Sequence, residues 1–306
     1  MREPVFILAP PRSFTSLVNA MLGQHPQMYG LPELNLFLAD TLTELWFSGG
    51  GIRSKVGLFG PLMRHGLLRT VAQLYAGEQT IESVHMARNW IRTRARQRTV
   101  DTYRELAMRI APLIPIEKSP AYGAKLEHME RIIEAFPGAR FLHLVRHPRG
   151  QSESVLKIAK GAMAVMMDSF DRSGTRPILD PQIAWHDYNL TILDFLDQVP
   201  AEQQLRVQGE DLFRDQDATL RRICQWLGIR EDANALEAMK HPEDSPYACV
   251  GPVNAMLGND INFLTSPALR PTKVKDYDLR EPLPWRPDGK GFKPETIELA
   301  NFFGYQ

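Results

Sequence analysis

Residues 4–33 read PVFILAPPRSFTSLVNAMLGQHPQMYGLPE, and the way this stretch is parsed decides the fold. Its opening run, Val5-Phe6-Ile7-Leu8, is continuously apolar, the composition of a strand buried on both faces. Pro10 and Pro11 end that strand, because neither can donate to a sheet ladder. Arg12, Ser13, Phe14, Thr15 and Ser16 follow as a turn. Leu17, Val18, Ala20, Met21 and Leu22 then recur with a helical rhythm, and Gly23 is a natural stop. Strand, polar turn and helix in this order present an anion site at the edge of an open parallel sheet. The helix start offers free backbone N–H groups and the positive end of its dipole, and hydroxyls with a cation close around the anion.

The same unit recurs downstream. Arg140-Phe141-Leu142-His143-Leu144-Val145 is the strongest central-strand signal and runs directly into Arg146-His147-Pro148-Arg149, with Ser152 and Ser154 beyond on a predicted helix. Ile114-Pro115-Ile116-Glu117 is a shorter strand that ends at Lys118-Ser119-Pro120, again a cation and a hydroxyl at a strand's carboxyl end, where open α/β sheets bind ligands. Leu205 to Gln208 is a fourth strand, followed by Glu210-Asp211-Leu212 and a helix through Leu220 and Trp226 to Gly228. The expected fold is α/β, a three-layer α/β/α arrangement around a central parallel sheet.

The 306 residues, 43% of them hydrophobic, suffice for one large α/β domain spanning 1–306 with a helical insertion. Lysine plus arginine equals aspartate plus glutamate at 36 each, so no overall field favours nucleic acid or a membrane surface. Two cysteines, Cys224 and Cys249, make no disulfide framework, and the first apolar run is too short for a signal-peptide core; a cytoplasmic location is the expectation. H-E-x-x-H, C-x-x-C and G-x-S-x-G are absent, so no metal is expected. Leu34 to Trp46 reads as a helix stopped by Gly49-Gly50-Gly51. Residues 53–112 read as a helical insertion capping the site, with Thr102-x-x-Glu105 as a capping box for its last helix. Residues 241–306 are rich in proline and aromatic residues and read as an irregular tail closing over the site. Within the insertion, Arg88, Arg92, Arg94, Arg96 and Arg98 fall in a stretch without acids. That is either a solvated helix face or a docking patch for an acidic macromolecule.

The turn lacks the G-x-x-x-x-G-K-[ST] of nucleotide kinases. Pro11-Arg12-Ser13-Phe14-Thr15-Ser16 instead resembles the phosphosulfate loop of sulfotransferases that use 3′-phosphoadenosine 5′-phosphosulfate (PAPS) and release 3′-phosphoadenosine 5′-phosphate (PAP). Phe14 departs from the family's usual glycine. Arg146 with the serine eight residues later, Ser154, is similar to the family's 3′-phosphate motif, and Lys118 to the lysine near the transferred sulfuryl group. The family often has tyrosine two residues before the glutamate of the E-D-L turn, where Gln208 stands here. Arg270, Lys273 and Lys275 are candidate further contacts to the 3′-phosphate.

The resemblance implies transfer of the sulfuryl group to an acceptor hydroxyl. Arg12 and the Ser13–Ser16 segment would anchor the donor, Lys118 would be the second cation, and Glu33 the general base. Glu33 lies twenty-one residues past Arg12, the distance of the catalytic glutamate in tyrosylprotein sulfotransferases. The same carboxylate would also suit the start of the Leu34 helix as a cap, and His241 and His147 compete as bases. The tail sequence HPEDSPYACVGPVNAMLGNDINFL and the arginine stretch also resemble sulfotransferase domains of bacterial polyketide pathways. That resemblance implies a β-hydroxyacyl acceptor on an acidic carrier protein docked through Arg88, Arg92 and Arg96. The acceptor is otherwise a small-molecule alcohol. A P-loop-like nucleotide kinase and a non-catalytic nucleotide-binding scaffold are the competing readings.

Overall fold

The computed structural model describes residues 2–46, 62–270 and 274–306. Gly49 to Gly51, residues 53–61 of the insertion and Lys273 lie outside them. Strands β1 (Val5–Leu8), β2 (Met28–Leu31), β3 (Ile114–Lys118) and β4 (Arg140–Val145) precede a short antiparallel pair, β5 (Phe170–Asp171) and β6 (Ile178–Leu179). Strand β7 (Gln204–Gln208) completes the main sheet, whose order is β2-β3-β1-β4-β7 with every pairing parallel. The chain moves outward from β1 to β2, returns through β3, then crosses to β4 and β7 on the other side. The order therefore reverses at β1, and the carboxyl ends of β1 and β4 flank a topological switch point.

Alternation along β1 sorts its side chains into two cores. Val5 and Ile7 pack with Val18, Met21 and Leu22 of α1 (Thr15–Gly23), and with Leu220, Ile223 and Cys224 of a late helix (Gln216–Leu227). Phe6 and Leu8 face the other layer. There the Phe6 ring meets Phe37 at 5.5 Å, Tyr103 at 5.6 Å and Phe141 at 6.2 Å between centroids. Full burial of a ring this size contributes about 1.5–3 kcal/mol, and truncating Phe6 costs more because a cavity remains.

Residues 62–112 are mainly helical. After α2 (Leu42–Trp46) come α3 (His65–Ala76), α4 (Ile81–Thr93) and α5 (Thr99–Arg109), whose Leu67, Val71, Val84, Ile91 and Leu106 join the Phe6 core. Helix α6 (Leu126–Ala135) lies on the same face, α7 (Pro148–Lys157) follows β4, and α8 (Ala162–Met166) and α9 (Gln182–Leu196) precede β7.

Four details differ from the sequence expectation. Met28–Leu31, not read as a strand from the sequence, is an edge strand paired to β3. Leu34 to Trp46 is not one helix: it holds a 3-10 turn at Leu36–Leu38 and then α2. Asn35 is left-handed at φ 56° and Ala39 is extended, and tertiary bonds take the backbone instead, with the Thr99 hydroxyl donating to Ala39 O at 2.7 Å. The capping box is not at Thr102, whose hydroxyl donates to Arg98 O inside α5. It is Thr80/Ser83, where each side chain accepts from the other's N–H, at 3.1 and 2.8 Å. Finally, the tail ends in a regular helix, Pro294–Phe302, which begins on a proline whose missing N–H costs a helix start nothing.

Candidate active site

The turn after β1 reaches its shape through two left-handed residues, Arg12 at φ 71° and Phe14 at φ 63°. Phe14 is the residue preceding α1, in the conformation that glycine adopts most cheaply, and no side chain caps the helix there. The first α-helical bond runs from Val18 N to Phe14 O, so the N–H groups just before it point into the turn without helical partners. The Phe14 ring is held by three neighbours. It lies 4.0 Å from the Arg146 guanidinium carbon, meets Phe213 edge-on at 5.2 Å, and packs on Gly209, where an added Cβ would come within 2.6 Å of the ring.

Arg146 leaves β4, and its Nη1 donates to Arg12 O at 2.6 Å. Arg12 in turn donates from Nε to Ser154 Oγ at 3.0 Å, so the two turns and the helix after β4 meet at one place. Burial lowers Arg146 and pushes Arg12 down to about 10, with the Arg146 charge adding to the fall and Glu33 opposing it. Two part-buried guanidiniums side by side, one depressed by the charge of the other, mark a seat for an anion. Among the described residues, buried Arg146 Nε and Ser13 Oγ have no partner. A cavity of about 380 Å³ lies here, walled by Arg12, Phe14, Arg146, Ser154, Phe213 and Arg270. A second lobe of about 310 Å³ shares Phe14, Arg146 and Ser154 and adds Lys157, Lys275 and Tyr277.

Arg12, Thr15 and Ser16 also wall a second chamber of about 360 Å³, lined mostly by apolar groups. Met63 from the insertion, Met163, Met166 and Met167 around α8, and Tyr188 of α9 surround it, and Glu33 faces into it. The Glu33 carboxylate accepts from Lys118 Nζ. Lys118 is 1% exposed and Glu33 30%, so the lysine approaches from beneath. Burial lowers Lys118, opposed by the Glu33 charge. The backbone of Glu33 is pinned from outside the sheet, its N–H donating to Gly258 O at 2.8 Å. Helix α3 begins against it, and Gly66 is required because a Cβ there would fall 2.0 Å from Glu33 O.

The structure thus brings together Arg12, Ser13, Phe14, Thr15, Ser16, Arg146, Ser154, Lys118 and Glu33. It does not bring in the histidines. His241 is exposed and pairs with Glu243 at 3.2 Å, and His147 caps α7 by accepting from Arg149 N at 3.2 Å. Burial and the Arg149 charge push His147 down to about 4, which leaves it neutral, packed against Tyr277 and Tyr305. Gln208 is committed to the tail, donating to Phe303 O at 2.8 Å, while the aromatic surface in the cavity comes from Phe14 and Phe213.

Two residues escaped the sequence reading. Phe213 stands three residues past Glu210 of the E-D-L turn, which placed it near the site without marking it. Asp260 lies within the tail segment HPEDSPYACVGPVNAMLGNDINFL, where nothing marks it as a site residue. From the tail, its carboxylate pairs with Arg12, its N–H donates to Ser16 Oγ at 3.0 Å, and it walls both cavities. Among the described residues no group of three or more His, Cys, Asp or Glu could hold a metal, and no helix is long and apolar enough to cross a membrane.

Residues 4–233 match the model of the sulfotransferase family. Among solved structures, the sulfotransferase domain from the curacin biosynthetic pathway is similar over 100% of this chain and 99% of its own, at 24% identity and a TM-score of 0.76. The sulfotransferase domain from the Synechococcus PCC 7002 olefin synthase is similar over 100% of this chain and 97% of its own, at 26% identity and a TM-score of 0.70. A sulfotransferase from Mycobacterium avium covers 100% of this chain and 78% of its own, at 16% identity and a TM-score of 0.50. No curated protein matches the chain.

Proposed function

This chain belongs to the sulfotransferase family, and from that premise we propose that it moves the sulfuryl group of PAPS to the hydroxyl of an apolar acceptor held against Glu33. The observation that carries the reading is the shared wall: Arg12, Thr15 and Ser16 border both the arginine-lined cavity and the apolar chamber. A group anchored in the first is thereby presented to a group lying in the second.

PAPS supplies an activated sulfuryl group on a phosphate leaving group. The Arg146 Nε, without a partner among the described residues, and the lowering of Arg12 by the Arg146 charge fit a donor carrying two anionic ends. Arg12 and the free N–H groups of the turn would hold the 5′ end and stabilise charge growing on the leaving oxygen. Arg146 and Ser154 would hold the 3′-phosphate, and Phe14 and Phe213 offer the purine an aromatic edge. Glu33 takes the proton from the acceptor hydroxyl as the base, and Lys118, fixed beneath it, faces the charge that develops on the transferred group. Positioning and preorganised charge do most of the work, as in phosphoryl transfer.

The test is calorimetric titration with PAP, followed by turnover of PAPS with medium-chain alcohols. PAP binding and alcohol-dependent PAP release are expected. Binding of ATP without PAP would replace this reading with a nucleotide kinase, and PAP binding without turnover would favour a scaffold.

One observation favours a tethered acceptor. Arg92, Arg96 and Arg98 are exposed, whereas Arg94 is tied to Glu105 at 2.9 Å and stacked on Trp90. Arg88, also exposed, donates to Asn254 O at 2.9 Å, beside Ile81 (43% exposed) and Val253 (78%). A basic helix next to exposed apolar side chains suits an acidic carrier protein. The pathway and synthase origins of two structural neighbours support the same acceptor. Arg92→Glu with Arg96→Glu should weaken binding of an acyl carrier protein without changing PAP affinity; unchanged carrier binding would reject it.

A further inference from the structure

We propose that Glu117, at the end of β3, is a positioning residue that fixes the Glu33 loop by holding the two amides that follow Glu33. The inference rests on Glu33 being the base. Glu117 is fully buried, in register with Phe6 on one side and Leu31 on the other. Its Oε1 accepts from Leu34 N–H at 3.1 Å and from the Ser119 hydroxyl, and Ser119 Oγ accepts from Asn35 N–H at 3.0 Å. The chain leaving Glu33 is therefore clamped at two consecutive residues. Asn35 extends the clamp to the insertion, its Nδ2 donating to Met63 O at 2.9 Å on the wall of the apolar chamber.

A carboxyl is a costly choice for this place. The groups that face it are Tyr103 from α5, Tyr122 and Ser119 from the turn after β3, and the Leu34 amide. Lys118, its neighbour in sequence, points to the opposite face of the strand and is engaged by Glu33. Among the described residues no further cation pairs with an ionised Glu117, and the Tyr122 hydroxyl is the polar group left beside it. Burial pushes it up to about 7, opposed by the bonds from Ser119, Leu34 and Tyr122 and by the Lys118 charge. Below about pH 7 it therefore holds a proton, and as a neutral acid it grips the loop without competing with Glu33 for Lys118. As pH rises through about 7, ionisation places a second carboxylate beside Lys118, in competition with Glu33 for its charge. Because the folded state holds this proton more tightly than the unfolded chain, stability contributed by Glu117 is greatest at low pH. It is lost as pH rises from 4.5 to about 7.

The experiment compares Glu117→Gln with Glu117→Ala in the full chain, reading kcat, KM for PAPS, PAP affinity and the pH profile. Glu117→Ala should lower kcat by about 10- to 100-fold, the cost of a misplaced base, with PAP affinity within about 2-fold. Glu117→Gln keeps the acceptor oxygen and has no proton to lose. It should restore most of kcat and abolish the decline of kcat near pH 7. A Gln variant with the wild-type pH profile, or an Ala variant with wild-type kcat, would overturn the proposal. If the Ala variant does not fold, the Gln pH profile decides alone. Should Glu33→Gln itself retain full turnover, the base assignment fails, and that outcome is distinct from either result at Glu117.

Discussion

The cavity around Arg146 and the chamber around Glu33 share a wall but are assembled differently. The first is made mainly where two strands end and two helices begin, with Arg12, Ser16, Arg146 and Ser154 each within nine residues of a sheet strand and the tail closing one side from Asp260 to Arg270. The second collects side chains from the Glu33 loop, the insertion at Met63, the segment around Met163 to Met167, α9 at Tyr188 and the tail at Leu257 to Ile261. In the first, distance along the chain is converted into distance in space by the fixed rise of strand and helix. In the second, no sequence interval relates one wall to the next. The same contrast appears in chemistry. Charge-assisted bonds fix the first, and flexible methionine side chains line the second.

If that division is real, substitutions should separate donor from acceptor behaviour. The largest effect is expected for Glu33→Gln: turnover should fall by about 10²- to 10⁴-fold with PAP affinity nearly unchanged. Equal losses in both would mean that Glu33 shapes the donor cavity too. Arg146→Ala should weaken PAP by about 100-fold in calorimetry, leaving the acceptor KM within about 2-fold, because a buried charge-assisted contact is lost on one side only. Met163→Ala combined with Met167→Ala should raise the KM of an apolar alcohol about tenfold, through lost burial, while leaving PAP untouched. A matching change in PAP affinity would break the comparison.

The smallest effect probes the scaffold beneath the arginine cavity. His143 is buried in β4, bonded to Asn189 at 3.0 Å, and burial pushes it down to about 3. The folded state therefore refuses a proton that the unfolded chain takes up below 6.5, so stability is full above that pH and falls below it. Going from pH 7.5 to 5 should cost about 2 kcal/mol through this residue. Denaturant melts of His143→Gln should show a shallower acid limb.

The sequence was most legible where local geometry carries the information. Val5 to Leu8 and Arg140 to Val145 are strands because they are apolar on both faces, and the residues that end them land in the cavity. Lys118 and Glu33 could be named, but their pairing could not, since it depends on β3 lying between β1 and β2. Met28–Leu31 was hidden by its brevity, its central Gly30 and its edge position. Asn35 and Ala39 broke an apparently helical run because partners from Ser119, Met63 and Thr99 captured local groups. Asp260 is reachable only once the tail is folded back onto Ser16, a contact between residues far apart in the chain.

Phe14 has a consequence for how such loops are recognised. Its left-handed backbone is the conformation for which glycine is ordinarily chosen, yet the position carries a ring supported by Arg146, Phe213 and the bare backbone of Gly209. A pattern spelled in letters, with glycine required at that place, passes over this chain. A pattern spelled in dihedral angles retains it. A side chain at 209 and a ring at 14 exclude each other, so position 209 stays bare for as long as position 14 carries a ring.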